Sequence, residues 1–318
     1  MGMAILGEAL SRTAEDTLAT REPLTPAQLA WRRFRRHKMA MLGLILLGMV
    51  IVYVVGGSFV FSEEYANYND LNLILDAPSR AHPFGTDATG RDILARTIYG
   101  GQISLLIGLA AVGVALVAGI TIGALSGYFG GWIDSILMRV TEAMLCIPQI
   151  FLLIIVAKYL GSSVPNFSLL GREYSGSVVV IVVIIGLDSW MYLARIVRSQ
   201  FLSLKEHEFV TAARCTGTSN LAIMAYHILP NSVAPIIVNA TLGVANAILT
   251  EAYISFLGLG VRQPTATWGN MLENANRYLE TAPWMWLFPG IMILITVLAI
   301  NFVGDGLRDA LDPRAMVE

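Results

Sequence analysis

The chain predicts an all-α polytopic membrane protein, and three observations carry that prediction. Of its 318 residues, 55% are hydrophobic and only 14% charged, whereas soluble domains carry roughly 25% charged residues. The mean hydropathy of +0.64 leaves too little polar surface to cover a soluble globule of this length. The apolar residues also gather into six runs of about 20, the length at which a helix crosses a ~30 Å hydrocarbon core.

In order, the predicted spans are Met39–Val60, Ile103–Ser126, about Ile136–Leu160, Val178–Ile196, Val233–Phe256 and Trp286–Val303. Ahead of the first, about 25 residues are polar. Residues 26–38 then suit an amphipathic helix with Leu29, Trp31 and Phe34 on the bilayer and arginines toward lipid phosphates. A plain charge signal for topology explains the same residues, and the two readings coexist. No signal peptide is expected, because the first apolar run starts near Met39 behind a polar leader too long for an n-region. With the N-terminus cytoplasmic, 14 Lys and Arg fall on the cytoplasmic side and 7 outside. Arg32, Arg33, Arg35, Arg36 and Lys38 abut the first span, where this bias counts most, so both termini are expected in the cytoplasm. Trp284 and Trp286 bracket the start of the sixth span as interfacial aromatics do. Gly119, Gly123, Gly127 and Gly131 recur every four residues, a close-packing face.

Between the first two spans, His82–Gly101 carries Asp87, Arg91, Asp92 and Arg96, alternating in sign. A helix here starts with Thr86 or Asp87 as cap, or later at Thr89, and runs through Ile98. Asp92 and Arg96 are one turn apart and can pair, but an exposed pair contributes only about 0.3–0.5 kcal/mol. Arg91 or Asp87 is therefore expected to bond another part of the assembly; the alternative is a solvated helix without a partner.

Enzymatic constellations are missing. HEFVT at His207–Thr211 begins like a zincin helix, but Thr211 stands where the second histidine belongs. Gly85 and Gly90 have the spacing of a phosphate loop, yet Arg91-Asp92 follow where Lys-Ser/Thr must stand. There is no G-x-S-x-G elbow, and His37, His82 and His227 share no partner pattern. Cys146 and Cys215 make no disulfide framework. The net charge of −2 argues against a nucleic-acid partner. Neither a catalytic residue nor a metal or cofactor site is assigned. The polar residues inside the spans are Asp188, Asn239, Asn246, Glu251 and Asn301; an acid at that depth is either functional or bonded to a neighbouring helix. Asp188 is expected in the cytoplasmic half of its span, positioning the loop that follows.

That loop, Arg195–Pro230, has a definite plan. Leu204–Cys215 favours helix, with Lys205, Glu206, Glu208 and Arg214 solvated. Gly217 stops it in the left-handed position. Ser219 caps a second helix through Ile228, and Pro230 opens the turn into the fifth span. Two short helices meeting at a glycine, with Ala212, Ala213 and Gly217 at the core of the bend, suit insertion into a groove of a soluble partner.

Thr211–Gly217 (TAARCTG), followed after nine residues by His227-Ile-Leu-Pro230, resembles the EAA loop of ABC importer permeases, E-A-A, three residues, G, nine residues, I-x-L-P. Thr211 replaces the glutamate and His227 the isoleucine; Glu208, one helical turn earlier, is the candidate substitute carboxylate. HPFGTDATGRDILARTIYGG at His82–Gly101, AILTEAYISFLGLGVRQPTATWGNML at Ala247–Leu272 and FPGIMILITVLAINFVGDGLRDALDP at Phe288–Pro313 are similar to C-type permeases of the dipeptide/oligopeptide/nickel family. The resemblance covers about Trp31–Pro313.

The resemblance implies a type I importer fold, with residues 39–61 as an arm helix, 62–100 as an extracytoplasmic segment, 101–311 as a five-helix core carrying the coupling loop 203–230, and 1–38 and 312–318 as cytoplasmic ends. It implies a prokaryotic inner-membrane assembly with a second homologous permease, two ATPase subunits that hold ATP and Mg, and an extracytoplasmic binding protein. The coupling residues it indicates are Glu208, Thr211, Ala212, Ala213, Gly217 and Pro230. Such permeases handle di- and oligopeptides, nickel complexes, glutathione and some sugars; the sequence does not choose among them, and peptides are taken as the expected solute. Two rival classes stand beside this. A proton-coupled secondary transporter would use Glu251 and Asp188, although neither an inverted repeat nor a broken helix is apparent; a membrane-anchored structural protein would explain the glycine face but not the loop.

Overall fold

The computed structural model describes residues 25–161, 163–169, 172–273 and 275–312. The rest of the N-terminal segment and the tail beyond residue 312 lie outside them. Helix α1 (Pro26–Arg36) leads into α2 (Lys38–Ile51), which continues through a π turn to Gly56. A short α3 (Glu63–Asn67) precedes α4 (Ile93–Phe129), α5 (Gly131–Leu145) and α6 (Gln149–Leu160). An antiparallel hairpin, β1 (Phe167–Leu169) and β2 (Arg172–Tyr174), pairs Phe167 with Tyr174. Then come α7 (Ser177–Leu204), α8 (Glu208–Cys215), α9 (Asn220–Phe256), α10 (Trp268–Met271) and α11 (Trp284–Leu311).

Five of these, α2 with its π turn, α4, α7, α9 and α11, are long and apolar enough to cross a membrane. The predicted third span is not one helix: α5 and α6 meet at 84° and make a sixth crossing only if the bent pair is taken as one span. The cause is Pro148, which has no N–H to continue the α5 ladder and stands extended (ψ 116°) as the residue before α6. This also corrects the reading that no broken helix is present.

Four spans, α4, α7, α9 and α11, exceed their predicted lengths, α4 and α9 by the most. α4 has 37 residues, absorbing the helix predicted separately over the outer segment. Gly100 and Gly101 do not end it, because both let neighbours approach: a Cβ on Gly100 would lie 3.1 Å from the Thr267 backbone, and one on Gly101 2.5 Å from the Trp268 ring. α9 runs through Pro230 instead of turning there. A π turn (Ile223–Ile228) and a 3₁₀ turn (Leu229–Ser232) accommodate the missing N–H. Asn231 Nδ2 and Ser232 Oγ donate to the His227 and Ile228 carbonyls at 2.7 and 2.9 Å.

The centre of the bundle is α4 packed along α7. Gly119, Gly123 and Gly127 form the contact: a Cβ on Gly123 would come 2.4 Å from the Ala194 carbonyl oxygen, and one on Gly127 2.7 Å from that of Arg198. Gly131 does not share this face. It lies past the helix end at φ +55° with open space beside it, since the left-handed turn at Gly130-Gly131 redirects the chain. α11 packs on α2 and α9. α1 is capped by a Thr25–Gln28 box with Pro26 at its first position. Phe34, expected on the bilayer, is instead buried against Ala40 and Ala310, because Gly306 at the end of α11 leaves room for it. Trp31 remains 55% exposed.

Candidate functional site

Three places hold the residues singled out from the sequence: a protrusion at one end of the bundle, a cavity beside α7, and a polar cap at the opposite end.

The protrusion is α8 and the first turns of α9. α7 continues to Leu204, so α8 begins only at Glu208, later than predicted. Gly217 closes α8 at φ +78°, and Ser219 Oγ accepts from Ala222 N at 3.4 Å to start α9. The core of the bend is made by Val210, Ala213, Ile223, Met224 and Ile228. Of the small residues expected there only Ala213 is buried; Thr211, Ala212 and Gly217 are exposed with Glu208 and Pro230. Helical spacing explains this, since Val210 and Ala213 share the face toward α9 and Ala212 does not. Tyr128, at the end of α4, fastens the protrusion: its hydroxyl donates to Asn220 Oδ1 at 2.8 Å, and the Arg214 guanidinium lies 5.5 Å over its ring. Beside it, Arg198 donates twice to Asp134, both at 2.6 Å, and Ser126 donates to the same carboxylate. The sequence pattern does not identify Asp134, Arg198 and Tyr128, which lie 92 residues or fewer from their partners but on different helices.

The cavity, of about 1220 Å³, is walled by α4, α5, α7 and α9. Asp188, Asn239 and Asn246 line it. Asp188 is the twelfth of the 28 residues of α7, near its middle. Its carboxylate accepts from Gln149 Nε2, at the first position of α6 beyond the break. Asn301 is half-buried on α11 and does not line this cavity.

In the cap, Asp92 is the residue that starts α4, where Thr86, Asp87 or Thr89 was expected: its Oδ1 accepts from Ala95 N and its Oδ2 pairs with His82 Nδ1, both at 2.8 Å. Asp92 therefore does not pair with Arg96. Thr86 is buried, hydrogen-bonded to Leu73 and Asp76, while Asp87 holds the turn that precedes the helix. The Asp87 carboxylate accepts from Arg91 Nε at 2.7 Å and from Thr89 N at 2.8 Å, and Arg96 approaches it to 3.9 Å. Burial opposes its charge, but Arg91, Thr89 and Arg96 outweigh burial and hold its pKa below the ordinary 3.8. Arg91 Nη1 also donates to Gln263, in the loop after α9, and Arg96 donates to Asn67 Oδ1 at 3.1 Å. Arg172 extends the cap, bonding Glu63 and Gln102 at 2.7 Å each.

Glu251 ties the cap to the bundle. Fully buried, it accepts from Ser104 Oγ at 3.2 Å and from Ser255 Oγ at 2.7 Å, and the Thr267 hydroxyl bonds it as well. Each hydroxyl accepts a backbone N–H in turn, from Trp268, Val261 and Asn270 respectively. The carboxylate thus joins α4, α9 and the loop after α9, with all three donors oriented. Only the acid itself was legible; serines and threonines at such spacing give no signal of convergence.

Residues 119–317 match the family model described as binding-protein-dependent transport system inner membrane component, and residues 25–78 match the N-terminal TM domain of oligopeptide transport permease C. The chain is 42% identical over 291 residues to the dipeptide transport system permease protein DppC of Alkalihalophilus pseudofirmus, covering 92% of this chain and 91% of that one. It is 40% identical over 289 residues to the oligopeptide transport system permease protein OppC of Haemophilus influenzae, covering 90% and 88%. It is 39% identical over 290 residues to the glutathione transport system permease protein GsiD of Escherichia coli, covering 91% of each. Among solved structures, a chain of the inward-facing MetNI methionine ABC transporter shares the fold at a TM-score of 0.51 and 17% identity, over 67% of this chain and 94% of that one.

Proposed function

We infer the function from one premise: the chain belongs to the family of binding-protein-dependent transport system inner membrane components. It is the membrane-spanning, non-hydrolytic subunit of an ATP-driven importer. Peptides are the solute class, since dipeptide and oligopeptide permeases stand among its relatives at 40% identity or more. The chain forms one half of the pathway in the prokaryotic inner membrane, crossing six times when the bent α5–α6 pair is counted, with α2 as the arm and the following helices as the type I core. A second homologous permease supplies the other half. Both termini and the protrusion face the cytoplasm, and the cap faces the binding protein.

The observation that carries the mechanism is the protrusion: a helix–glycine–helix unit built directly on the ends of two spans, α7 and α9. Two ATPase subunits hold ATP and Mg and close on hydrolysis-linked cycling; α8 seats in the groove of one of them. Exposed Thr211, Ala212 and Glu208 form the contact surface, and Gly217 sets the angle of the bend. Movement of α8 then passes to α7 and α9, which wall the cavity, and switches its access. Glu251 and the Asp87–Arg91–Arg96 cluster hold the cap as one piece while this occurs.

The test is uptake of labelled di- and oligopeptides by proteoliposomes holding this chain, its partner permease, both ATPases and the binding protein. Uptake that requires ATP and the binding protein is the expected result. The broken α5–α6 pair with Gln149 on Asp188 is the feature a proton-coupled carrier would use; uptake driven by a proton gradient without ATP would establish that reading instead.

A further inference from the structure

We propose that Asp188 and Arg195 form a transit site in the α7 wall of the cavity, binding the ammonium and carboxylate ends of a zwitterionic peptide as it passes. The proposal rests on the peptide-importer reading above and adds to it a place in this chain where solute is held.

Asp188, Tyr192, Arg195 and Ser199 recur along α7 at spacings of four, three and four, so they form one stripe, and all four line the cavity. The two charges on that stripe are not spent on each other or on neighbours. Asp188 has one partner among the described residues, the Gln149 amide on one carboxylate oxygen, although a carboxylate accommodates about four hydrogen bonds. Its other oxygen is open to the cavity, since among the described residues only Thr296 has a buried polar side-chain atom without a partner. Arg195 is exposed to the cavity and has no hydrogen bond or ion pair among the described residues. Arg198, the other arginine in the wall, is neutralised by Asp134. Glu142, the further acid in the wall, interacts electrostatically with Arg198 and stands on α5, off this stripe.

A buried acid with a single neutral partner, beside an unpaired cation, has the charge pattern of a zwitterion receptor. The spacing agrees. Seven residues of helix separate the two groups by about 10 Å, the length of about three residues of extended chain; the long arginine side chain lets it reach the nearer end of a dipeptide. Across the cavity, α9 presents Asn239, Asn246 and Thr250. Their amides and hydroxyl can both donate and accept, which suits the main chain that all peptides share and selects no particular side chain. Gln149 acts as a positioning residue, fixing the rotamer of Asp188 from the start of α6.

The experiment uses the complete reconstituted importer, a labelled tripeptide, and the variants Asp188→Asn, Arg195→Gln and Asp188→Glu. Uptake and ATP hydrolysis are measured together at saturating peptide-loaded binding protein. The expected result is at least a fivefold fall in peptide imported per ATP in the Asn and Gln variants. Stimulation of ATP hydrolysis by the loaded binding protein should persist, and half-maximal binding-protein concentration should be unchanged. Asp188→Glu should keep more than half of the wild-type ratio. A wild-type ratio in Asp188→Asn or in Arg195→Gln overturns the site, as does a parallel loss of uptake and ATP hydrolysis, which would mark a structural role. A wild-type importer that carries no peptide overturns the peptide reading and the site with it; peptide import with unaltered variants overturns the site alone.

Discussion

Replacing Gly123 with alanine should destabilise the chain, while the same change at Gly113 on the same helix should stabilise it. A Cβ on Gly123 would stand 2.4 Å from the Ala194 carbonyl oxygen and 2.8 Å from Val197 Cβ, against an ordinary contact of 3.4 Å or more. The oxygen belongs to the backbone of α7 and has no rotamer with which to yield, so the helices must separate or strain. Overpacking of this kind costs about 1–3 kcal/mol. Alanine returns about 1 kcal/mol of helix propensity, and with the contact at the severe end of that range the net loss is about 1–2 kcal/mol. At Gly113 nothing lies within 4 Å of the added carbon, so only the gain of about 1 kcal/mol remains. The assay is the thermal unfolding midpoint of the purified chain in detergent, with both variants compared to wild type. Shifts of opposite sign are expected, and two shifts of the same sign would refute the packing argument.

Gly217→Val should uncouple uptake from ATP hydrolysis while membrane insertion is retained, because a β-branched residue at φ +78° costs roughly 1–2 kcal/mol or more and changes the bend; uptake at the wild-type rate would remove the bend from the mechanism. Glu251→Ala strands the Ser104, Ser255 and Thr267 hydroxyls in a dry site, at about 1–3 kcal/mol for each donor left unpaired, so the loop after α9 should become protease-sensitive. Unchanged cleavage of that loop would show that the carboxylate is not its tether. Asp87 binds its proton less readily folded than unfolded, so its contribution is present above the unfolded pKa of about 3.9 and is lost as pH falls through the lower folded value. Hydrogen exchange in residues 86–92 should therefore rise at the acid end, below about pH 4, and Arg91→Gln should flatten that dependence.

The spans were legible because a run of some 20 apolar residues has few alternatives to a membrane helix, and the left-handed stop at Gly217 because few residues besides glycine suit it. Boundaries failed where side chains from elsewhere decide them. Asp92 rather than Asp87 starts α4 because Asp87 is occupied by Arg91 and Thr89, a competition with no trace in local spacing. Pro148 and Pro230 are both prolines in apolar runs, yet one breaks a span and the other is carried through by a π turn. The difference lies in the side-chain donors Asn231 and Ser232, which satisfy the carbonyls near Pro230. Of the candidate site, the acids and the loop could be named from sequence, but not the partners that give them work: Gln149 for Asp188, and the three hydroxyls for Glu251. Those pairs are 39 residues apart for Gln149–Asp188 and 147 for Ser104–Glu251, and only the packing of α6 on α7 and of α4 on α9 brings them together.

The 37 residues of α4 make a rod about 55 Å long at 1.5 Å per residue. One end is pinned in the cap by Asp92 and the other holds the protrusion through Tyr128, with no proline between. For a rigid rod of that length, each degree of tilt about the midpoint swings both ends by about 0.5 Å in opposite senses. A rotation of ten degrees, small beside the 84° already present between α5 and α6, would carry Tyr128 about 5 Å one way and the Asp92 cap about 5 Å the other. With arms of equal length, a rigid tilt of that rod would displace the two surfaces by the same distance in opposite senses.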